Sequence, residues 1–462
     1  MSTETSFIVD SSWYRPNDAT TLVAGSPLTV FRLSESGREV ARALERGTPL
    51  PEFHPPLTSR FVLAGAIHPI ATATRSSLAE VLTVVIPAHV TDDTSRVRLQ
   101  SLVESLSTTC RVVVVDDASP VAPMESERAE ILRLSTNQGP AAARNAGAAT
   151  VTTPFIAFVD SDVTGVDAVL ALLVSTCEAD GVALAAPRVA SRPTGTRLAH
   201  YEEMRSPLDC GRDAGRVRAG TRISYVPSAT WVVRTEAWSQ IGGFDEAMRV
   251  GEDVDFVWRT ARAGWTCRYE PRAIVEHEPR ATLRSLARQR FTYGTSVPDL
   301  ARRHPGEFNV LRMSWHSFVL WITFFVGLIP VSVLLGLYTF VALARRLRSI
   351  DNGARIAWRL VTKGHLHALG SIARVLRREW IPLTMLGLLS SGYGNFLAMC
   401  VLIIPPLVEY VRGARKVNPF VYLVLRFVDD TAYGWGAVTS CVRRRTFRPF
   451  VPDLRTWRAD VS

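Results

Sequence analysis

Two continuous apolar runs, LTVVIPA at 82–88 and RVVVVDDAS at 111–119, most constrain what this chain can fold into. Each has the length of a strand, and neither alternates apolar with polar residues. A strand that is apolar on both sides must be covered on both faces. The stretch between them, 94–109, reads as a helix. Strand, helix, strand of this kind is the pattern of a parallel sheet with helices packed on it. ILRLS (131–135) and FIAFVDSDV (155–163) supply a third and a fourth strand, and GPAAARNAGAATV reads as a small-residue helix. The fold class is therefore α/β, a doubly wound domain. Ligands of such sheets bind beyond the carboxyl ends of the strands. Asp116, Asp117, Asp160 and Asp162 all fall there.

The flanks differ from this middle. Residues 1–18 read as a loose tail, too polar and acidic for a secretory signal. TTLVAGSPLTVFRL (20–33) predicts two short strands around Gly25-Ser26-Pro27. Ser34 caps a predicted helix, SESGREVARALERG, that stops at Gly47, and a second helix is expected within LTSRFVLAGAI (57–67). Such a set suggests a small winged-helix-like α+β module, or else an N-terminal decoration packed on the next domain. Arg75 to Glu80 reads as a polar connector. At the other end, 315–344 and 381–408 are free of charged side chains and longer than the roughly 20 residues that cross a bilayer. Nine Lys/Arg and two acids lie between them. Basic loops stay cytoplasmic. With residues 1 to about 310 also inside, the first run is expected to be a re-entrant hairpin turning near Pro330; a plain two-pass topology is the alternative. The second run is expected to bend at Pro405-Pro406, and 420–438 reads as an interfacial helix. The expected segments are 1–78, 79–310 and 311–462, the last membrane-associated.

Net charge is +10, with the basic residues crowded beside the apolar runs of the last third. That placement favours an anionic membrane face over nucleic acid, for which no signature is present. Six cysteines without a CxxC pair argue against a zinc site or a disulfide framework and fit a reducing compartment.

Four motifs carry chemistry. In VDSDV (159–163), Asp160 and Asp162 alternate at a strand end and so share one side, as oxygen ligands for Mg2+ or Mn2+ would. Asp116 and Asp117 follow a buried strand, where a carboxylate can accept from a nucleobase N–H or a sugar hydroxyl. Arg144, in NQGPAAARNAG, lies in a helix of small residues and can pair with a phosphate or an acid. Finally, GGFDE and GEDVDFVWR place Gly243, Phe244 and Asp245 in a turn, and Glu252 and Asp253 at a helix start favoured by the helix dipole. Asp253 can act there as general base. His277, in IVEHEP, is a further candidate metal ligand.

In order and approximate spacing, VVIPAH, VVVVDDAS, NQGPAAARN, VDSDV, GGFDE, GEDVDFVWR, AGW and VEH over residues 80–300 resemble the family 2 glycosyltransferases of GT-A (Rossmann-like) fold. The resemblance implies a nucleotide-diphosphate sugar donor, usually UDP-linked, held by Pro87, Ala88, Asp116, Asp117, Arg144 and Asp160. It further implies metal at Asp162 with His277, an acceptor site at Gly243, Phe244 and Asp245, and catalysis by Asp253 with Glu252. Single displacement would invert the anomeric carbon. RQRFTYG lacks the QxxRW-type spacing of the processive members. With its N-terminal module, apolar segments and VDDTAYGWG, the whole chain is similar to the mycofactocin-system glycosyltransferases, and the module is similar to PqqD-like peptide-recognition domains. This resemblance implies UDP-glucose as donor and the peptide-derived cofactor mycofactocin as acceptor, extended by β-1,4-linked glucose. A lipid or cell-wall acceptor is one alternative; a non-catalytic, membrane-bound peptide-binding scaffold is another. A dinucleotide-dependent oxidoreductase is excluded, because no GxGxxG follows the first strand.

Overall fold

A computed structural model describes residues 6–16, 19–73, 77–121 and 127–455. Parts of the expected N-terminal tail (1–5 and 17–18) and of the connector (75–76) lie outside the described residues. One compact unit is built on residues 68–283, the other on residues 9–67 together with 284–462.

The N-terminal segment holds β1 (Phe7–Val9), β2 (Thr21–Ala24), β3 (Thr29–Arg32), α1 (Glu35–Arg46), α2 (Pro55–Ala64) and β4 (Ile67–Pro69). β1 falls where a loose tail was expected. β2 and β3 pair antiparallel across Gly25-Ser26-Pro27. The Ser34 side chain accepts from the Gly37 N–H, and Gly47 ends α1 in the left-handed region, φ 64°.

The unit on 68–283 contains β5 (Leu82–Ala88), α3 (Asp93–Leu106), β6 (Arg111–Asp116), β7 (Glu130–Arg133), α4 (Pro140–Ala148), β8 (Phe155–Val159), β9 (Val163–Thr164), α5 (Asp167–Glu178), β10 (Val182–Ser191), α6 (Arg197–Arg205), β11 (Gly215–Val217), β12 (Thr230–Arg234), α7 (Thr235–Ile241), α8 (Glu252–Arg262) and β13 (Thr266–His277). The sheet order is β11-β13-β10-β12-β8-β5-β6-β7, with β9 paired on β13. β8, β5, β6 and β7 run parallel; β12 is antiparallel to both of its neighbours. The expected strand 155–163 is split: β8 runs along β12 as far as Val159, with the Asp160 N–H continuing that register onto the Ala229 carbonyl at 2.9 Å, whereas Val163–Thr164 pair with β13 instead. All five β8 residues and the β6 run Val112–Asp116 are buried, as strands covered on both faces must be. The small residues of α4 have a packing reason: a Cβ on Gly147 would lie 2.4 Å from Val85 Cγ1 and 2.8 Å from Val115 Cγ2. α4 thus lies tight on β5 and β6 and carries Arg144 to the strand ends.

The second unit adds α9 (Leu283–Gly294), α10 (Val297–Arg303), β14 (Arg312–Ser314), α11 (Trp315–Phe325), α12 (Ile329–Arg346), α13 (Gly353–Arg377), α14 (Ile381–Leu389), α15 (Tyr393–Arg412), α16 (Pro419–Arg443) and β15 (Asp453–Arg455). The first apolar run is two helices broken at Gly327-Leu328, beside the Pro330 expected from sequence. The second run breaks at Ser390–Gly392 and not at Pro405-Pro406, which lie inside α15. Pro405 and Pro406 leave the helix assignment unbroken, whereas Ser390 is extended (ψ 165°) and Gly392 has φ 68°. The expected interfacial helix 420–438 is part of α16, whose Arg426 and Asp430 are buried in ion pairs. The N-terminal segment packs here: Val23 and Val30 are buried with Leu343, Leu347, Ile356 and Ala357 of the α12–α13 region. All six cysteines are free.

Candidate active site

The parallel strands deliver the acids to one edge. β6 ends at Asp116, and Ala118, at φ 52°, turns the chain sharply. Asp116 Oδ1 accepts from the Ser119 N–H at 2.9 Å, while Oδ2 has no hydrogen bond and faces Arg133 Nη1 at 3.3 Å. Asp117 is spent differently. Its two oxygens accept the N–H groups of Gln138 (2.7 Å) and Gly139 (2.8 Å), and so hold the loop that leads into α4. Of the two expected base contacts, Asp117 is tied to the loop amides, whereas Asp116 Oδ2 accepts no hydrogen bond and meets only the Arg133 guanidinium. On β5, Pro87 is half-buried; Ala88 is buried, and its carbonyl receives the Asp117 N–H at 2.8 Å.

Arg144 is buried and forks between two acids, with Nη2 2.6 Å from Asp160 and Nη1 3.1 Å from Glu252. It also lies over the Phe244 ring, 5.5 Å from the centroid. The alternative left open by sequence, phosphate or acid, is thus taken by acids. Arg144 sets the positions of Asp160 and Glu252 relative to one another. The same fork holds Glu252, 7% exposed, as Arg144's partner.

Asp162 and His277 come together through strand pairing. β9 lies antiparallel on the end of β13 with His277 opposite Val163. This brings His277 Nε2 to 3.0 Å from Asp162 Oδ2. Burial works against charge on both. The hydrogen bond and mutual charge prevail, so the Asp162 carboxyl is held below its usual range and the His277 imidazole above it. One carboxylate oxygen and one imidazole nitrogen suit a divalent cation that takes its remaining ligands from phosphate oxygens and water. Among the described residues no group of three His, Cys, Asp or Glu side chains is placed to hold a metal. A cation here would therefore depend on the donor for further ligands.

Glu252 and Asp253 open α8, capped by Gly251 at φ 82°, a backbone geometry that favours glycine. Asp253 is partly exposed and accepts from the Val254 N–H at 2.8 Å. Burial, set against the N–H groups of Val254 and Ser228 and the charge of Arg144, leaves its carboxyl above the ordinary range. Burial and the charge of Asp253 push Glu252 up to about 7. The pair is the least neutralised part of the site and is suited to taking up a proton.

The acceptor turn is divided. Phe244 is buried in a ring cluster with Phe158, Trp231, Trp238 and Phe256. Asn145 grips its backbone in both directions, at 2.9 Å each, and Gly243 must be glycine because a Cβ would lie 2.7 Å from Asn145 Oδ1. Gly243 and Phe244 are buried and hold the loop, and Asp245, half-buried, is the more accessible member of the expected acceptor turn. Sequence reasoning passed over Asn145; its place directly after Arg144 on α4 was the available signal.

The profile described as "Glycosyl transferase family 2" matches residues 83–242. The chain is 35% identical over 460 residues to "Pre-mycofactocin glycosyltransferase" of Mycobacterium tuberculosis, strains CDC 1551 / Oshkosh and H37Rv, with 95% of each chain covered. It is 28% identical over 207 residues to "Succinoglycan biosynthesis protein ExoO" of Rhizobium meliloti (strain 1021), covering 42% of this chain and 59% of that one. Among solved structures it is similar to a mannosyltransferase from Pyrobaculum calidifontis in complex with GDP-Man and Mn2+, with a TM-score of 0.37, 14% identity, and 64% of this chain and 89% of that one covered.

Proposed function

The chain belongs to the family of the pre-mycofactocin glycosyltransferases and carries a family 2 glycosyltransferase domain of GT-A fold, and on that premise we propose that it transfers glucose from UDP-glucose, with inversion, to mycofactocin or its precursor. The observation that carries the reading is one sheet edge. There, Asp162 and His277 lie 3.0 Å apart, and Arg144 links Asp160 to the Glu252–Asp253 helix start.

In this reading Asp253 takes the proton of the acceptor hydroxyl as that oxygen attacks the anomeric carbon, and the glycosyl–phosphate bond breaks on the opposite face. Glu252 holds Arg144, and Arg144 fixes the height of the first DxD acid. Asp116 Oδ2 receives a donor N–H from the nucleobase. Asp162 and His277 would hold Mg2+ or Mn2+, which when bound supplies positive charge for the departing diphosphate. Our proposed segments are 1–78 for acceptor-peptide recognition, 79–310 for transfer and 311–462 for attachment to the cytoplasmic face of the cell membrane.

A panel of nucleotide sugars with purified protein and Mn2+, read as nucleotide diphosphate release with and without the peptide-derived acceptor, tests donor and acceptor together. Release fastest with UDP-glucose and dependent on that acceptor is expected. The exposed apolar helices of the second unit favour one rival, a lipid acceptor. In cells lacking the protein, an altered glycolipid with unchanged mycofactocin glycoforms would decide for the rival.

A further inference from the structure

We propose that the helical unit is monotopic: two apolar hairpins each dip into one leaflet of an anionic bilayer and return to the face they entered, so that no helix crosses. This rests on the membrane attachment proposed above and fixes its geometry.

Both ends of the first hairpin are tied to α13. Near the start of α11, Ser317 Oγ lies 2.9 Å from His365 Nδ1, and Trp321 Nε1 donates to the His365 carbonyl at 2.9 Å. At the end of α12, Leu343 and Leu347 are buried with Ile356 and Ala357. Between these ends the helices run side by side. His316 stacks on Tyr338, and Thr323 Oγ1 lies 2.8 Å from Ser332 Oγ close to the turn. α11 has 11 residues, which rise only ~16 Å, about half of a ~30 Å hydrocarbon core. α12, at 18 residues, is long enough to cross alone, but its partner cannot bring the turn to the far side.

The second hairpin repeats this. α14 has 9 residues, a rise of ~14 Å. It doubles back on α15 at Ser390–Gly392, where Asn395 Nδ2 donates to the Leu388 carbonyl at 2.7 Å. Its entry is tied to α13 by Thr384 Oγ1 on the Leu376 carbonyl at 2.7 Å. Its exit is tied through Glu409 to Arg426 at 3.1 Å, and Arg426 shares Asp430 with Arg377 of α13. Two unrelated sequences therefore reach the same depth, that of a single leaflet.

The chemistry of the surface identifies the occupant. No Asp, Glu, Lys or Arg stands between Met313 and Ala344 or between Trp380 and Val408. The turns present strongly exposed apolar side chains, Val326 at 64% and Leu389 at 84%. Residues 284–462 carry 25 Lys/Arg against nine Asp/Glu. Arg345, Arg346, Arg412, Arg415 and Lys416 flank the hairpin bases, at the level of acidic headgroups when the tips sit among acyl chains. A second copy of this chain could cover the tips but would set these cations against one another.

The test uses the full-length protein with Cys210 and Cys400 replaced by serine and a single Val326→Cys or Leu389→Cys. It is reconstituted in phosphatidylcholine–phosphatidylglycerol vesicles. Expected is flotation with the vesicles, no reaction of either cysteine with an impermeant maleimide supplied outside or inside, and quenching of a bimane at either site by lipids brominated at mid-chain. Labelling of either tip from one aqueous side overturns the monotopic arrangement while leaving attachment intact. Protein that does not float, whatever its labelling, overturns the membrane reading itself. Val326→Asp with Leu389→Asp should reduce vesicle binding at least tenfold while leaving diphosphate release in detergent unchanged.

Discussion

Each unit of this protein buries a cluster of arginine and carboxylate, and the two clusters are balanced differently. In the helical unit, Arg377, Arg378 and Arg426 meet Asp430, Glu379 and Glu409, three cations with three acids. At the strand ends of the other unit, one arginine, Arg144, faces Asp160 and Glu252 directly and feels the charge of Asp253. A balanced buried cluster sets cation against acid in equal number, and it fixes how α13, α15 and α16 meet. An acid-rich one keeps unspent negative charge, raises the proton affinity of its own carboxyls, and leaves room for a cation and for proton transfer. The same residue types therefore serve architecture in one place and chemistry in the other, and stoichiometry distinguishes them.

Replacing one member of each cluster should separate the two roles most sharply. Asp253→Asn is expected to lower turnover by roughly 10²–10⁴-fold, the range for loss of a general base, while calorimetry with UDP and Mn2+ shows donor-site binding largely kept. Unchanged turnover would remove Asp253 from the chemistry. Asp430→Ala, by contrast, strands buried guanidinium groups and should cost roughly 3–5 kcal/mol of stability, seen as a lower denaturant midpoint. A loss of turnover with no loss of stability would break the contrast.

The cation side of the site is read by pH. His277 must lose its proton to bind metal, and its folded pKa is raised above 6.5 by Asp162 despite burial. Mn2+ affinity should therefore weaken as pH falls through that raised value, by about tenfold per unit below it. Asp162→Asn should remove most binding, and His277→Ala should flatten the pH dependence. The same ion pair bears on metal-free stability. A raised imidazole pKa stabilises the fold below pH 6.5, and that contribution is lost as pH rises through the folded pKa.

The smallest effect concerns Glu252, whose carboxyl is pushed up to about 7 by burial and by Asp253. The rate should rise with pH along a limb lying above the usual carboxylate range, because burial raises the Asp253 carboxyl as well. Glu252→Gln removes one of two adjacent negative charges, so the acid limb of its rate profile should move to lower pH; a limb that stays in place would show that the carboxyls titrate independently.

Much of this contrast was legible before any coordinates. The apolar runs at 82–88 and 111–119, the Ser34 and Gly47 caps, the break beside Pro330 and the acids at the strand ends all follow from local rules. Those rules need only neighbouring residues, because strand burial, capping and helix breaking are settled within a few positions. Partner choice is not settled there. Asp116 and Asp117 are adjacent and chemically identical, and sequence gave them one role. Only the fold turns Asp117 onto the Gln138 and Gly139 amides and leaves Asp116 Oδ2 without a hydrogen bond.

The sequence by itself determined a parallel-sheet domain with carboxylates at its ligand-binding edge, a capped N-terminal segment and two apolar runs too long to be ordinary loops. Tertiary structure alone decided which acids are committed and which are available. It set His277 against Asp162 by laying β9 on β13, gave Arg144 to two carboxylates, and sank Phe244 into a ring cluster. It also packed the N-terminal segment on α12 and α13 and folded each apolar run back on itself. The physical reason is range. These pairings join residues as much as some 330 positions apart, such as Thr20 with Asp351, and the free energy that selects them comes from burial and charge neutralisation that exist only once the chain is compact.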